Sequence, residues 1–165
     1  MLGKVCVVMA LALAGSAGAA TTGTPPLVAA YAKQLTARCP EVKGRPFGDQ
    51  VDLNGDKIDD WVIDATRHGC GASNSLQAEN GALVTVFMGA ADGMAYPAFQ
   101  QAAFGSRLER TGGSTRLVVT VAGPPCEADS MTVKCDRILR WSALRKRFEL
   151  AQATPLSGTA DPTTK

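Results

Sequence analysis

The sequence has a single histidine, His68, and no two cysteines separated by two residues. Structural zinc sites draw about four ligands from cysteine and histidine and commonly use such cysteine pairs. The chain also lacks the G-x-S-x-G, H-E-x-x-H and S-x-x-K motifs of common hydrolases. Zinc binding and the best-known hydrolase mechanisms therefore receive no support.

An excess of charge of one sign is missing as well. The 17 lysines and arginines face 15 aspartates and glutamates. This balance argues against a protein whose whole surface binds nucleic acid or a membrane. The charges are spread unevenly, because acids concentrate between residues 49 and 64 and bases between residues 134 and 147. The pattern predicts opposite potentials on different faces.

No apolar run in the sequence is long enough to cross a bilayer. The longest begins at Val5, directly after Lys4, and precedes the small residues Ala17-Gly18-Ala19. This order is typical of a secretory signal peptide. We expect residues 1–19 to be such a signal and the mature protein to be periplasmic or secreted. A buried N-terminal helix is the alternative interpretation.

Export determines how the cysteines are interpreted. After loss of Cys6 with the signal, the mature chain retains four: Cys39, Cys70, Cys126 and Cys135. An even number in an oxidising compartment indicates two disulfides, for which three connectivities exist. We favour Cys39–Cys70 and Cys126–Cys135, because neighbours in sequence meet most easily. A nucleophilic Cys70–His68 pair is a weaker interpretation.

Residues 20–152 are predicted to form one α+β domain, and residues 153–165 a disordered tail rich in Pro, Thr and Ser. Helix-start signals at Thr24 and Pro25, with apolar residues every four positions, predict a helix from about Pro26 to Arg38. Five strands are predicted, at Trp61–Thr66, Ala82–Met88, Arg116–Ala122, Arg137–Trp141 and Phe148–Ala151. We expect the N-terminal helix to pack on a mainly antiparallel sheet.

The clearest chemical signal is an acidic loop, the segment Asp52–Asp60. Its oxygen-bearing side chains occupy relative positions 1, 3, 5 and 9, at Asp52, Asn54, Asp56 and Asp60. A hard cation such as Ca²⁺ takes about six to eight oxygen ligands, and a short curled loop can supply them at this spacing. Ile58, at position 7, would contribute its backbone carbonyl. The alternative is a metal-free turn held by Asx hydrogen bonds.

A helix-loop-helix calcium site would need Gly at position 6 and Glu at position 12. The sequence has Lys57 and Ile63 there, so that motif is excluded.

The stretch from Phe47 to Thr66 resembles one unit of the FG-GAP/VCBS type of repeat. In that family a D-x-N-G-D-G-x-x-D loop leads into an apolar strand and usually binds Ca²⁺. The resemblance implies a ligand set of Asp52, Asn54, Asp56 and Asp60 with the carbonyl of Ile58. Lys57 replaces the family's Gly, which costs about 1 kcal/mol if φ is positive there. The chain has one such unit, whereas a propeller needs several.

The layout as a whole also resembles small exported bacterial proteins that combine one Asp-Asn-Gly-Asp loop with a disulfide-fastened β domain. That resemblance implies no activity. Our leading hypothesis is a non-enzymatic exported domain with a structural calcium loop and a surface that binds another macromolecule. We expect no nucleic-acid partner and no membrane span in the mature form.

Two other functions stay open. The first is a periplasmic inhibitor or immunity protein that blocks an exported enzyme through the basic segment Arg140–Arg147. A solvated hairpin face is the simpler interpretation of this segment. The second is a small hydrolase that uses the loop carboxylates Asp59 and Asp60. Adjacent residues on a strand point to opposite faces, which weakens the latter.

Overall fold

The computed structural model describes residues 23–38, 48–68, 77–78 and 81–151. The predicted signal peptide, the predicted tail and the expected Cys39–Cys70 disulfide lie outside the described residues. Within those ranges, no helix combines the length and the apolar character that crossing a membrane requires.

One α-helix and nine β-strands occur in the described part of the chain. The helix, α1, spans Pro26–Arg38, as predicted. The strands are β1 Asp49–Val51, β2 Asp60–Asp64, β3 Gln77–Ala78, β4 Gly81–Gly89, β5 Ala95–Ala103, β6 Gly105–Thr111, β7 Ser114–Ala122, β8 Lys134–Ser142 and β9 Arg147–Leu150. The five predicted strands are confirmed as β2, β4, β7, β8 and β9, with small shifts at their ends.

The strands form two antiparallel sheets among the described residues. In the first sheet β1 pairs with β2 and β2 with β4, and both β3 and β5 also pair with β4. The second sheet has the order β6-β7-β8-β9. The antiparallel character predicted from the sequence is confirmed, but the strands divide between two sheets where one was expected.

The main core lies between the two sheets. Val62, Val84 and Val86 of the first sheet belong to one buried cluster with residues of the second sheet such as Val119 and Phe148. This arrangement follows from alternation along each strand, which directs every second side chain toward the opposite sheet.

A second buried cluster joins α1 to the other face of the first sheet. Val28 and Leu35 of the helix share it with Ile63 of β2 and Phe87 of β4. Because Val62 and Ile63 point to opposite sides of β2, this strand is buried on both faces. The acidic loop leads directly into β2 and is therefore anchored to a strand that is buried on both faces.

The Cys126–Cys135 disulfide is confirmed, with a Cα–Cα distance of 5.6 Å. It closes the connection between β7 and β8, which begins at Gly123-Pro124-Pro125, where β7 ends as predicted. The guanidinium of Arg137 donates hydrogen bonds to the carbonyl oxygens of Pro125 and Ala151. The connection is thus held both covalently and by a side chain of β8.

Candidate functional site

The acidic loop connects β1 to β2 in a hairpin whose register pairs Val51 with Asp60. The backbone turns back through two left-handed residues, Gly55 with φ 85° and Lys57 with φ 68°. Glycine tolerates such a φ, whereas a lysine there costs about 1 kcal/mol. The positive φ at Lys57 therefore strains the turn by this amount.

Asp52 holds the turn from its first position. Its Oδ1 accepts the Gly55 N–H at 2.7 Å, and its Oδ2 accepts the Lys57 N–H at 2.9 Å. One carboxylate thus fixes both left-handed residues, and it supplies hydrogen-bond partners to amides that the tight turn leaves without strand partners.

Asn54 and Asp56 continue the same pattern. The Asn54 Oδ1 accepts the Asp56 N–H at 2.9 Å, and the Asp56 Oδ1 accepts the Ile58 N–H at 2.8 Å. The amide group of Asn54 also donates to the Asp56 Oδ2 at 2.9 Å. Three of the four predicted side-chain ligands are therefore close together on one turn, and each forms an Asx-type hydrogen bond.

Asp60 differs from the other three because its side chain is fully buried, with an exposed fraction of 0%. Its Oδ2 accepts the Leu53 N–H at 3.0 Å, and its Oδ1 accepts the Gly89 N–H at 3.1 Å. These bonds tie the start of the loop to the end of β4. A Cβ added at Gly89 would lie 2.3 Å from the Asp59 carbonyl oxygen, so only glycine permits this approach.

Burial raises the pKa of Asp60 to about 6 from its ordinary value of 3.8. The amides of Leu53 and Gly89 lower the pKa by stabilising the carboxylate, whereas the negative charges of Asp56 and Asp52 raise it further. At neutral pH the Asp60 carboxylate is therefore mostly ionised, although it is buried and lies near two other negative charges. A nearby cation would relieve both the burial cost and the repulsion.

The loop offers carboxylate and amide oxygens, which are the kind of ligand that a hard cation prefers. Asp52 and Asn54 are half-buried and Asp56 is exposed, so water and ions reach them. A carboxylate oxygen that accepts one N–H retains capacity for another partner. However, across the described ranges no three His, Cys, Asp or Glu side chains are grouped closely enough to hold a metal ion. Ligation would require the side chains to move from their amide partners or to share them.

The two carboxylates considered for hydrolysis face different surroundings. Asp59 is exposed, whereas Asp60 is buried and bound to two amides. Catalysis by a carboxyl pair needs both groups on either side of one substrate bond. The geometry gives that hypothesis no support.

A polar cluster around a buried carboxylate, Asp64 at the end of β2, was not predicted from the sequence. Asp64 is 2% exposed, and it accepts hydrogen bonds from the Thr66 hydroxyl at 2.5 Å and the Ser106 hydroxyl at 2.6 Å. Arg67 lies 3.4 Å from Asp64 and also pairs with Asp49 at 2.6 Å. The cluster joins β1, β2 and β6. The sequence feature that could have indicated this cluster is the acid at the end of the apolar run Trp61-Val62-Ile63-Asp64.

The basic segment forms the predicted hairpin turn between β8 and β9. Glu149 accepts hydrogen bonds from Arg145 at 2.7 Å and from Arg147 at 3.0 Å, which holds two of the basic side chains. The rings of Trp141 and Phe148 lie 5.0 Å apart below the turn, and Phe148 is buried. Phe148 therefore belongs to the main core, and Trp141 packs against that core.

Comparison with known proteins does not assign the chain to a family. A scan of protein-family models, a search of curated proteins and a search of solved structures each found no match.

Proposed function

We propose that this chain is a non-enzymatic, exported domain in which the acidic loop is a structural calcium-type element and whose surface binds another macromolecule. Export through the signal peptide at residues 1–19 and a second disulfide, Cys39–Cys70, are parts of this proposal.

A structural role for the loop is supported by its side chains, which accept hydrogen bonds from the protein's own backbone. Six backbone amides donate to side-chain oxygens of the loop, namely those of Leu53, Gly55, Asp56, Lys57, Ile58 and Gly89. A catalytic carboxylate has to face substrate, whereas these face the protein's own backbone. The loop's chemistry is directed at holding the entrance to β2.

A bound calcium ion would further stabilise the loop at the start of β2. Asp52, Asn54, Asp56 and Asp60, with the carbonyl of Ile58, would hold the ion, which supplies positive charge among four oxygen-bearing side chains. The repulsion that Asp52 and Asp56 exert on Asp60 supports a cation at this position. Extracellular calcium modules bind with dissociation constants of roughly 10⁻⁴–10⁻³ M, so modest affinity is sufficient outside the cell.

Thermal unfolding tests the proposal. We expect the Tm of the mature protein to be several degrees higher in about 5 mM CaCl₂ than in EDTA. Binding of a ligand to the native state alone at 10 to 100 times its dissociation constant adds about 1–3 kcal/mol. Magnesium should produce a smaller shift, because it loses its water reluctantly and demands octahedral geometry.

A matched pair of variants separates calcium binding from turn stability. Asp52→Ala removes a predicted ligand together with its Asx hydrogen bonds, and it should abolish the calcium response. Asp92→Ala removes an Asx bond of the same kind outside the loop, which the Met94 N–H donates to the Asp92 Oδ1 at 2.9 Å. That variant should lose a little stability and keep the full response. Equal Tm values of the wild-type protein in EDTA and in calcium would refute the calcium part of the proposal.

A further inference from the structure

The most exposed large apolar side chain in the described residues is at the tip of the β8–β9 hairpin. Leu144 is 94% exposed. It lies in a four-residue turn between Ser142 and Arg147, which form the last pair of the ladder. Lys146 closes the turn in the left-handed region, with φ 48°. The turn thus presents one leucine to solvent at the end of the β8–β9 ladder.

Basic residues lie close to this leucine in the hairpin. Arg140, Arg145, Lys146 and Arg147 are all exposed, and Glu149 is the one acid between residues 138 and 151. Four positive charges against one negative charge leave a local net charge of +3. Because Glu149 pairs with Arg145 and Arg147, the two arginines are held beside the turn.

We infer that this hairpin tip docks on a lipid bilayer rich in anionic headgroups, with Leu144 entering the interface and the basic side chains contacting phosphates. A single exposed side chain at a turn can enter a bilayer without a preformed pocket, because lipids rearrange around it. An exposed apolar residue beside exposed basic ones matches the interfacial layer of an anionic membrane, where acyl chains lie below negative charge. The near-neutral overall charge does not oppose this, because headgroup attraction acts within about 10 Å.

The inference goes beyond the proposed function and does not depend on calcium binding. Each lysine or arginine near an anionic surface strengthens binding roughly fivefold, and the burial of one leucine adds about tenfold. The expected contact is therefore weak, reversible and sensitive to salt. It lies on the membrane and does not span it.

Co-sedimentation of the mature protein with extruded vesicles tests the inference. Vesicles of phosphatidylglycerol mixed with phosphatidylcholine should bind the protein at low ionic strength, and vesicles of phosphatidylcholine alone should not. Leu144→Ser should weaken binding by about tenfold, whereas Leu144→Trp should strengthen it, since tryptophan favours the interface. The exposure of Leu144 means that neither variant should disturb folding.

Charge variants of matched type complete the design. Lys146→Glu should reduce vesicle binding by about tenfold or more, because it removes one attraction and adds one repulsion. Lys33→Glu, at an exposed position on α1, makes the same change in net charge and should have little effect. Leu27→Ser, at a 42% exposed leucine of α1, is the corresponding apolar control.

Two outcomes would overturn the inference. The first is no binding of the wild-type protein to anionic vesicles at low salt. The second is binding that Lys146→Glu weakens, that Leu144→Ser leaves unchanged and that heparin reproduces, which would identify the hairpin as a site for a soluble polyanion. Neither outcome bears on the acidic loop, which the melting experiment tests separately.

Discussion

Replacement of Asp60 by alanine is expected to lower the free energy of unfolding by about 2–3 kcal/mol near pH 7 in EDTA. The variant leaves the Leu53 and Gly89 amides without their acceptor, and each buried amide that loses its partner costs about 1–3 kcal/mol. Removal of a buried charge offsets part of this loss. Urea denaturation of the mature protein gives the difference directly.

The loss should grow as the pH falls. The pKa of Asp60 is about 6 in the fold against an ordinary 3.8, so the native state binds this proton more tightly than the unfolded chain does. The resulting stabilisation is complete below about pH 4 and is lost as the pH rises through 6. Two pKa units correspond to at most about 3 kcal/mol. Because alanine has no proton to bind, its deficit relative to wild type should be larger near pH 5 than near pH 7.

Asp59→Ala is the control, since Asp59 is the exposed neighbour of Asp60. It should change stability by less than about 0.5 kcal/mol. If Asp60→Ala were as stable as Asp59→Ala at both pH values, Asp60 would not hold the loop to β4.

Loss of the Cys126–Cys135 disulfide is expected to cost about 2.5–3 kcal/mol. The bond closes a loop with a sequence separation of 9, and loop closure of that size restricts the unfolded chain by this amount. Cys126→Ser combined with Cys135→Ser should therefore shift the denaturation midpoint without changing the fold. Gel filtration and circular dichroism of the double variant check that the fold persists.

Thiol counting identifies the remaining pair. The mature protein, denatured without reductant, should show no free thiol if Cys39 and Cys70 also pair as proposed. Two free thiols in the wild-type protein would show that only one disulfide forms.

An unchanged denaturation midpoint in the double serine variant would mean that the disulfide does not stabilise the fold. Arg137, through its bonds to the Pro125 and Ala151 carbonyls, would then be sufficient to hold the β7–β8 connection.

The parts of the fold that were predicted correctly depend on local signals. Helix α1 follows from start signals and apolar spacing within thirteen residues. The strands β2, β4 and β7 are rich in β-branched or aromatic residues, a composition that indicates strands. Strand β5 was missed because it contains Pro97 and alanines, and proline usually argues against a strand. Among the described residues β5 pairs with β4 alone, which permits the proline, since no second ladder there needs its missing N–H.

The geometry of the acidic loop was predicted in part, whereas its role as a metal site stays a prediction. The spacing of Asp52, Asn54 and Asp56 correctly brought these side chains onto one turn. It did not predict that Asp60 turns inward, because its partner Gly89 is 29 residues away in sequence. The Asp64–Ser106 contact spans 42 residues and was equally inaccessible. Pairings of this range depend on which strands become neighbours, and the periodicity of one segment does not encode that.

A calcium titration followed by ¹⁵N–¹H NMR determines whether the acidic loop itself binds Ca²⁺, as we propose. The amides of Gly55, Lys57 and Ile58 donate to the predicted ligands, so their signals report on the site residue by residue. We predict saturable shifts at these amides over roughly 0.1–10 mM Ca²⁺, with little change in the second sheet. If these three signals stay fixed throughout the titration, or move no more than those of β7, the acidic loop does not bind Ca²⁺.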